Sequence, residues 1–138
     1  YFSARIILRL GLRTTLLITV VATVIRMLLY YFISTPVATL PVELLHGFSW
    51  SLFWVVCVEY VNKLVDERWM ATGQSLLYAS YFGIGAIAGN YWTGFLKEYR
   101  QMQIADIFLL NAGIIFITGV VVLVFMKVKS ANSIAAPN

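Results

Sequence analysis

Three ionisable residues, Arg26, Glu43 and His46, lie inside long apolar stretches of the sequence. Ionisable groups are rare within membrane-spanning segments, and by default they are functional candidates there. Glu43 and His46 are spaced i, i+3, so they share one face of a helix. A carboxylate near an arginine, with a histidine that titrates close to neutral pH, has the chemistry of a proton relay.

The elements that must position these residues are predicted to be membrane-spanning helices. Of the 138 residues, 61% are hydrophobic and 12% are charged, whereas about a quarter of the residues of a soluble domain are charged. A helix needs about 20 residues to cross the hydrocarbon core of a bilayer. Four segments qualify, with approximate bounds 14–33, 37–58, 69–96 and 107–126. The expected fold class is an all-α membrane protein with four transmembrane helices.

The basic residues between these segments predict the orientation of the chain. Cytoplasmic loops carry an excess of Lys and Arg. Only Lys97 and Arg100 fall on one predicted side; on the other are Arg5, Arg9, Arg13, Lys63, Arg68, Lys127 and Lys129. Both termini are therefore expected in the cytoplasm, in a multi-pass protein of a bacterial inner membrane or a plasma membrane. Residues 1–13 are then a cytoplasmic loop, and residues 130–138 a disordered cytoplasmic tail.

The three ionisable residues are predicted to lie at similar depth. At a rise of 1.5 Å per residue, Arg26 lies ~10 Å inside the outer end of its span, and Glu43 and His46 lie ~9 and ~13 Å into the returning span. A short outer turn makes the two spans neighbours, so a Glu43–Arg26 pair beside His46 is geometrically available. In the alternative interpretation, Arg26 extends to the headgroups while Glu43 and His46 bond polar backbone near the helix start.

Other side chains are candidates for lining a substrate cavity. Ser49, Trp50 and Phe53 continue the face of His46 at i+3, i+4 and i+7. Tyr78 lies near the cytoplasmic end of the third predicted span. In the alternative interpretation, Trp50 faces lipid and Tyr78 lies at the membrane interface.

Three stretches carry a family resemblance. Residues 3–13, SARIILRLGLR, resemble the basic loop between helices eight and nine of a major facilitator superfamily transporter. Residues 40–48, LPVELLHGF, resemble the tenth-helix segment of its proton-symporter branch, which includes lactose permease, nucleoside permeases and domain-containing protein six. Residues 68–77, RWMATGQSLL, followed by YFGIG at 81–85, resemble the entry to helix eleven of the same branch.

This resemblance implies that the four helices are helices nine to twelve, part of the second six-helix half of a major facilitator fold. Because the chain begins at Tyr1 without a signal peptide pattern, it is expected to be a fragment that starts in mid-protein. The implied partners are the missing amino-terminal helices of the same chain, the lipid bilayer, protons and a small polar solute. The implied function is proton-coupled symport of a sugar or a nucleoside.

The resemblance also bears on individual residues. Lactose permease has an arginine in helix nine and a histidine in helix ten with the separation of Arg26 and His46. The chain departs from that permease at three positions. Glu43 replaces a lysine, Ser49 replaces the proton-carrying glutamate, and Phe82 replaces the lysine of helix eleven, which makes Phe82 a further candidate for the cavity.

Other classes of function are disfavoured or stay open. The sequence contains no Gly-rich phosphate cradle, no HExxH and no Ser–His–Asp set, so an enzyme is not expected. No cofactor or metal site is expected, since the single cysteine, Cys57, cannot form a thiolate zinc site. Nucleic acid is not an expected partner, because the cations are spread between apolar runs. A four-helix exporter that uses Glu43, and a membrane scaffold without transport, stay open.

Overall fold

Every regular element that the structure describes is helical. The structure, a computed structural model, describes residues 2–33 and 35–126. A 3-10 turn, Glu67–Trp69, follows the second helix, and a π-helical segment, Ala79–Gly85, joins the third helix to the fourth. The five α-helices of the described ranges are α1 (Phe2–Phe32), α2 (Pro36–Leu64), α3 (Met70–Tyr78), α4 (Ala86–Glu98) and α5 (Ile104–Phe125).

Three helices of the described part are long and apolar enough to cross a membrane: Leu10–Phe32 within α1, Pro36–Leu64 and Ile104–Phe125. The predicted spans 14–33, 37–58 and 107–126 largely coincide with them. The predicted boundaries differ at several ends, because polar residues such as Asn62 and Lys63 continue α2 to Leu64. The predicted tail 130–138 lies outside the described residues.

The segment predicted as a cytoplasmic loop, 1–13, is helical in its described part, and its location stays a prediction. The backbone is helical from Phe2, and Gly11 interrupts the helix with φ 78° and ψ 162°. Glycine adopts a positive φ readily because it has no Cβ. Gly11 therefore marks the point at which the chain enters the apolar part of α1.

The predicted third span, 69–96, is divided into three pieces. α3 has 9 residues, the π-helical segment 7 and α4 13, and the backbone stays in the right-handed helical region at both junctions. A π-helical segment bonds i to i+5, so the side chains that follow it are rotated relative to an uninterrupted α-helix. A fourth crossing in this region stays a prediction.

α1 is the central helix of the bundle, since it packs against both α2 and α5, while α2 packs against α3 and α4 makes a smaller contact with α5. The buried apolar cluster near the Gly11 end of α1 contains Leu12, Leu16, Val56 and Met126. Beside it, the Arg13 guanidinium donates hydrogen bonds to the carbonyl oxygens of Met126 at 2.8 Å and Leu123 at 3.3 Å. These bonds satisfy carbonyls that the end of a helix leaves free, so they fasten α5 to α1.

The hairpin between α2 and α3 is held by a polar contact and a close approach. Gln74 Nε2 donates a hydrogen bond to Asn62 Oδ1 at 2.9 Å. One residue earlier, a Cβ added to Gly73 would lie 2.9 Å from Val61 Cγ1. Glycine at this position lets the two helices approach closely enough for the hydrogen bond between the side-chain amides of Gln74 and Asn62.

Candidate functional site

A cavity of about 370 Å³ lies between α1, α2 and α5, and Tyr81 of the π-helical segment also lines it. Its volume is at the lower end of the range for small-molecule pockets. Most of its wall is apolar. The polar side chains of the wall come from three helices and are Thr19, Thr23, Arg26, His46, Ser49 and Thr118.

A row of threonines forms the polar part of α1. Thr15, Thr19 and Thr23 recur every four residues, and each hydroxyl donates to the carbonyl oxygen four residues earlier, at 2.8, 3.0 and 2.8 Å. Thr19 and Thr23 also line the cavity. Because their protons are used within the helix, these two hydroxyls offer the cavity only acceptor lone pairs.

Arg26 follows this row on α1 and contributes a cation to the cavity wall. Its Nε atom is buried and has no hydrogen-bond partner. Leaving a buried donor unbonded costs about 1–3 kcal/mol. This N–H donor therefore has no partner among the described residues.

Among the described residues, Glu43 and Arg26 do not form the expected ion pair. The ion pair found there joins two other residues, Lys63 Nζ and Glu59 Oε1, at 3.7 Å. Glu43 Oε1 instead accepts a hydrogen bond from the hydroxyl of Tyr30. Tyr30 lies one helical turn beyond Arg26, so a hydroxyl takes the place predicted for the guanidinium.

Tyr30 was not among the predicted residues. Its ring also packs on Phe108 with centroids 4.8 Å apart, so α1, α2 and α5 meet at this end of the cavity. The i, i+4 spacing of Arg26 and Tyr30 was the signal in the sequence, because residues so spaced share a helix face.

His46 and Ser49 lie on the α2 side of the cavity. Ser49 is only 2% exposed, and its hydroxyl donates to the carbonyl oxygen of His46 at 3.1 Å. The His46 ring stands 6.3 Å from the Trp50 ring, centroid to centroid. Arg26 and His46 thus line one cavity from neighbouring helices.

An aromatic cluster joins α2 to the end of α3 and the π-helical segment. Its members are Trp50, Phe53, Trp54, Tyr78, Tyr81 and Phe82. Trp50 and Tyr81 lie 5.2 Å apart, Trp54 and Tyr78 4.9 Å, and Tyr78 and Phe82 4.8 Å, centroid to centroid. Aromatic pairs at such distances add to the stability of an interface.

The aromatic residues predicted for the substrate cavity divide into two groups. Trp50 and Phe53 line the cavity, whereas Tyr78 and Phe82 are not among its lining residues and pack within the aromatic cluster. Tyr81, which was not predicted, lines the cavity instead.

These features define the class of protein: a multi-pass helical membrane protein with a largely apolar cavity between its helices, into whose wall a few polar side chains are set. The model of the MFS_1 like family matches residues 1–110, and the chain belongs to that family. This membership points to a transporter, and not to an enzyme in the usual sense. Among curated proteins and among solved structures, none matches significantly.

Proposed function

We propose that the chain is part of a secondary transporter that couples the movement of a small polar solute, of the sugar or nucleoside class, to the movement of protons. The observation that carries this proposal is the cavity that Arg26 and His46 line together inside an apolar helix bundle. Polar and charged groups buried between membrane helices mark substrate and ion pathways. The membership of the family supports transport in general.

Coupling requires that a proton bind with different free energy in the two states of the transporter. The Tyr30–Glu43 hydrogen bond joins α1 to α2 at one end of the cavity. A hydroxyl donates more strongly to a carboxylate than to a neutral carboxyl group. Protonation of Glu43 therefore weakens the bond between the two helices, and their separation in turn favours the protonated form. Arg26 and His46 in the cavity relay the proton or hold the solute.

In this proposal α1 corresponds to the ninth helix of the family, α2 to the tenth, the segment from α3 through α4 to the eleventh, and α5 to the twelfth. Four crossings then place both ends of the chain in the cytoplasm. The remaining helices of a twelve-helix transporter complete the cavity.

The function is tested by uptake into proteoliposomes that contain the full-length protein. Radiolabelled lactose and uridine are supplied outside, with the outside more acidic than the lumen. We expect at least one of the two to accumulate above its external concentration, and a protonophore to abolish the accumulation. Accumulation that persists with the protonophore would refute proton coupling, and equal uptake by the isolated chain would favour the four-helix exporter.

The orientation and the third crossing are tested together by cysteine labelling. Single cysteines are introduced by Asp66→Cys and by Gln103→Cys in a background in which Cys57, the one cysteine of these 138 residues, and any cysteine elsewhere in the full-length protein are replaced by alanine. An impermeant maleimide should label position 66 only from the cytoplasm and position 103 only from outside. The reverse pattern would overturn the orientation. Labelling of both from one side would show that α3 to α4 does not cross.

A further inference from the structure

The charge in the cavity is unbalanced. Among the described residues that line it, Arg26 carries the permanent charge, and none is a carboxylate. Glu43, the acidic residue predicted to neutralise it, is bonded to Tyr30 and makes no ion pair with Arg26. A partly buried cation on a largely apolar wall, without a counterion among the described lining residues, is unfavourable, so a bound anion would stabilise the site.

The donor geometry in the cavity points to an oxyanion. The Nε–H of Arg26 is buried without a partner. A guanidinium presents its N–H groups in a planar fork that matches the two oxygens of a carboxylate. An oxyanion at this position would satisfy the orphaned N–H and neutralise the charge at once, which a neutral hydroxyl cannot do.

The rest of the cavity wall indicates the shape and polarity of the uncharged part of the ligand. Trp50 and Phe53 of α2 and Tyr81 of the π-helical segment form an aromatic side, and Ile114 and Ile115 of α5 form an aliphatic one. Aromatic and aliphatic walls favour a flat, apolar body. The cavity of about 370 Å³ has room for about a dozen non-hydrogen atoms at the roughly 30 Å³ that a water molecule occupies in the liquid.

We propose that this cavity binds a small organic monoanion, a carboxylate on a flat apolar body, with the carboxylate on Arg26 and the body between Trp50, Tyr81 and Ile115. That this anion is also transported rests on the proposed function. Binding itself is a property of the cavity. As a transported solute, the anion replaces the sugar or nucleoside of the proposed function, and only the coupling to protons is kept.

Equilibrium binding of radiolabelled benzoate to the purified full-length protein tests the proposal, with competition by unlabelled benzoate and by benzamide. Benzamide has the same flat ring and no charge, so it controls for unspecific apolar partitioning. We expect saturable benzoate binding that benzamide displaces at least about tenfold more weakly than benzoate does, because the charge-assisted bonds to Arg26 are lost.

Variants locate the site. Arg26→Gln should weaken benzoate binding about tenfold or more, and Arg26→Lys, which keeps the charge without the planar fork, should bind with intermediate affinity. Arg68→Gln is the matched control, because Arg68 lies over the Trp69 ring away from the cavity, and it should bind like the unaltered protein. If Arg26→Gln does not yield folded protein, Ile115→Phe fills the cavity and should abolish binding.

Two results would overturn the anion site: equal displacement by benzamide and benzoate, or benzoate binding that neither Arg26→Gln nor Ile115→Phe reduces. Uptake of radiolabelled benzoate, lactose and uridine in the same preparation separates this failure from that of the proposed function. Proton-driven uptake of lactose or uridine without benzoate binding would leave transport standing and refute the anion. Benzoate binding without proton-driven uptake of any of the three would leave the site standing and refute the coupling.

Discussion

Glu43→Gln in the full-length transporter is expected to abolish accumulation of solute against its gradient while leaving exchange of labelled for unlabelled solute across the membrane. Glutamine keeps the size of the side chain and can still accept a hydrogen bond from Tyr30, but it cannot carry a proton at physiological pH. Exchange needs only alternation of the loaded transporter, whereas accumulation needs the proton gradient. The two assays in proteoliposomes therefore separate coupling from binding.

Tyr30→Phe provides the comparison for this experiment. Phenylalanine retains the ring that packs on Phe108 and loses only the hydroxyl that donates to Glu43. Accumulation should persist in this variant, with a shifted dependence of uptake on pH, because the carboxyl group is present and its bond to α1 is lost. If Glu43→Gln accumulates solute with an unchanged pH profile, the proton carrier lies elsewhere, and Glu43 belongs to the structural interpretation.

Gly119→Ala is expected to lower the stability of the protein by about 1–3 kcal/mol, the usual range for an overpacked helix contact. A Cβ at Gly119 would lie 2.5 Å from Cγ1 and 2.9 Å from Cγ2 of Val20 on α1. Val20 cannot move aside easily, because a valine in a helix has one strongly preferred rotamer. The methyl group therefore forces α1 and α5 apart, and the midpoint of thermal unfolding in detergent should fall.

Gly113→Ala is the matched control on the same helix, since a Cβ at Gly113 meets nothing within 4 Å. It should be neutral or slightly stabilising, because alanine has the higher helix propensity. Val20→Ala combined with Gly119→Ala should recover much of the lost stability by removing both valine methyl groups. A Gly119→Ala protein as stable as the Gly113→Ala protein would contradict the close packing of α1 and α5.

The helical membrane architecture could be predicted from the sequence because hydropathy is a property of each segment by itself. The uncharged run 107–126 coincides with α5 to within a few residues, and the predicted span 37–58 lies inside α2. The ionisable residues inside apolar stretches were also visible without a structure. A charge in hydrocarbon is unfavourable wherever the helix packs, so Arg26, Glu43 and His46 were candidates for a proton relay from the sequence alone. In the structure Arg26 and His46 line the cavity, while Glu43 accepts a hydrogen bond from Tyr30.

The partners of these residues depended on the tertiary structure. Whether Glu43 meets Arg26 or Tyr30 depends on how α1 and α2 rotate and cross, and a shift of one helical turn exchanges one partner for the other. Hydropathy carries no information on that rotation, because lipid and apolar side chains are nearly equivalent surroundings for a helix face.

In the region 69–96, too, one property could be predicted from the sequence and another could not. The length of the apolar stretch could be predicted, whereas the π-helical segment Ala79–Gly85, which rotates the side chains that follow it, could not. The sequence pattern does not say against which helix this segment packs, so it could not distinguish Tyr81, which lines the cavity, from Tyr78 and Phe82, which do not. By itself the sequence determined which stretches are apolar and which charges they contain. The packing of the helices decided which side chains those charges meet, because that depends on contacts between residues far apart in the chain.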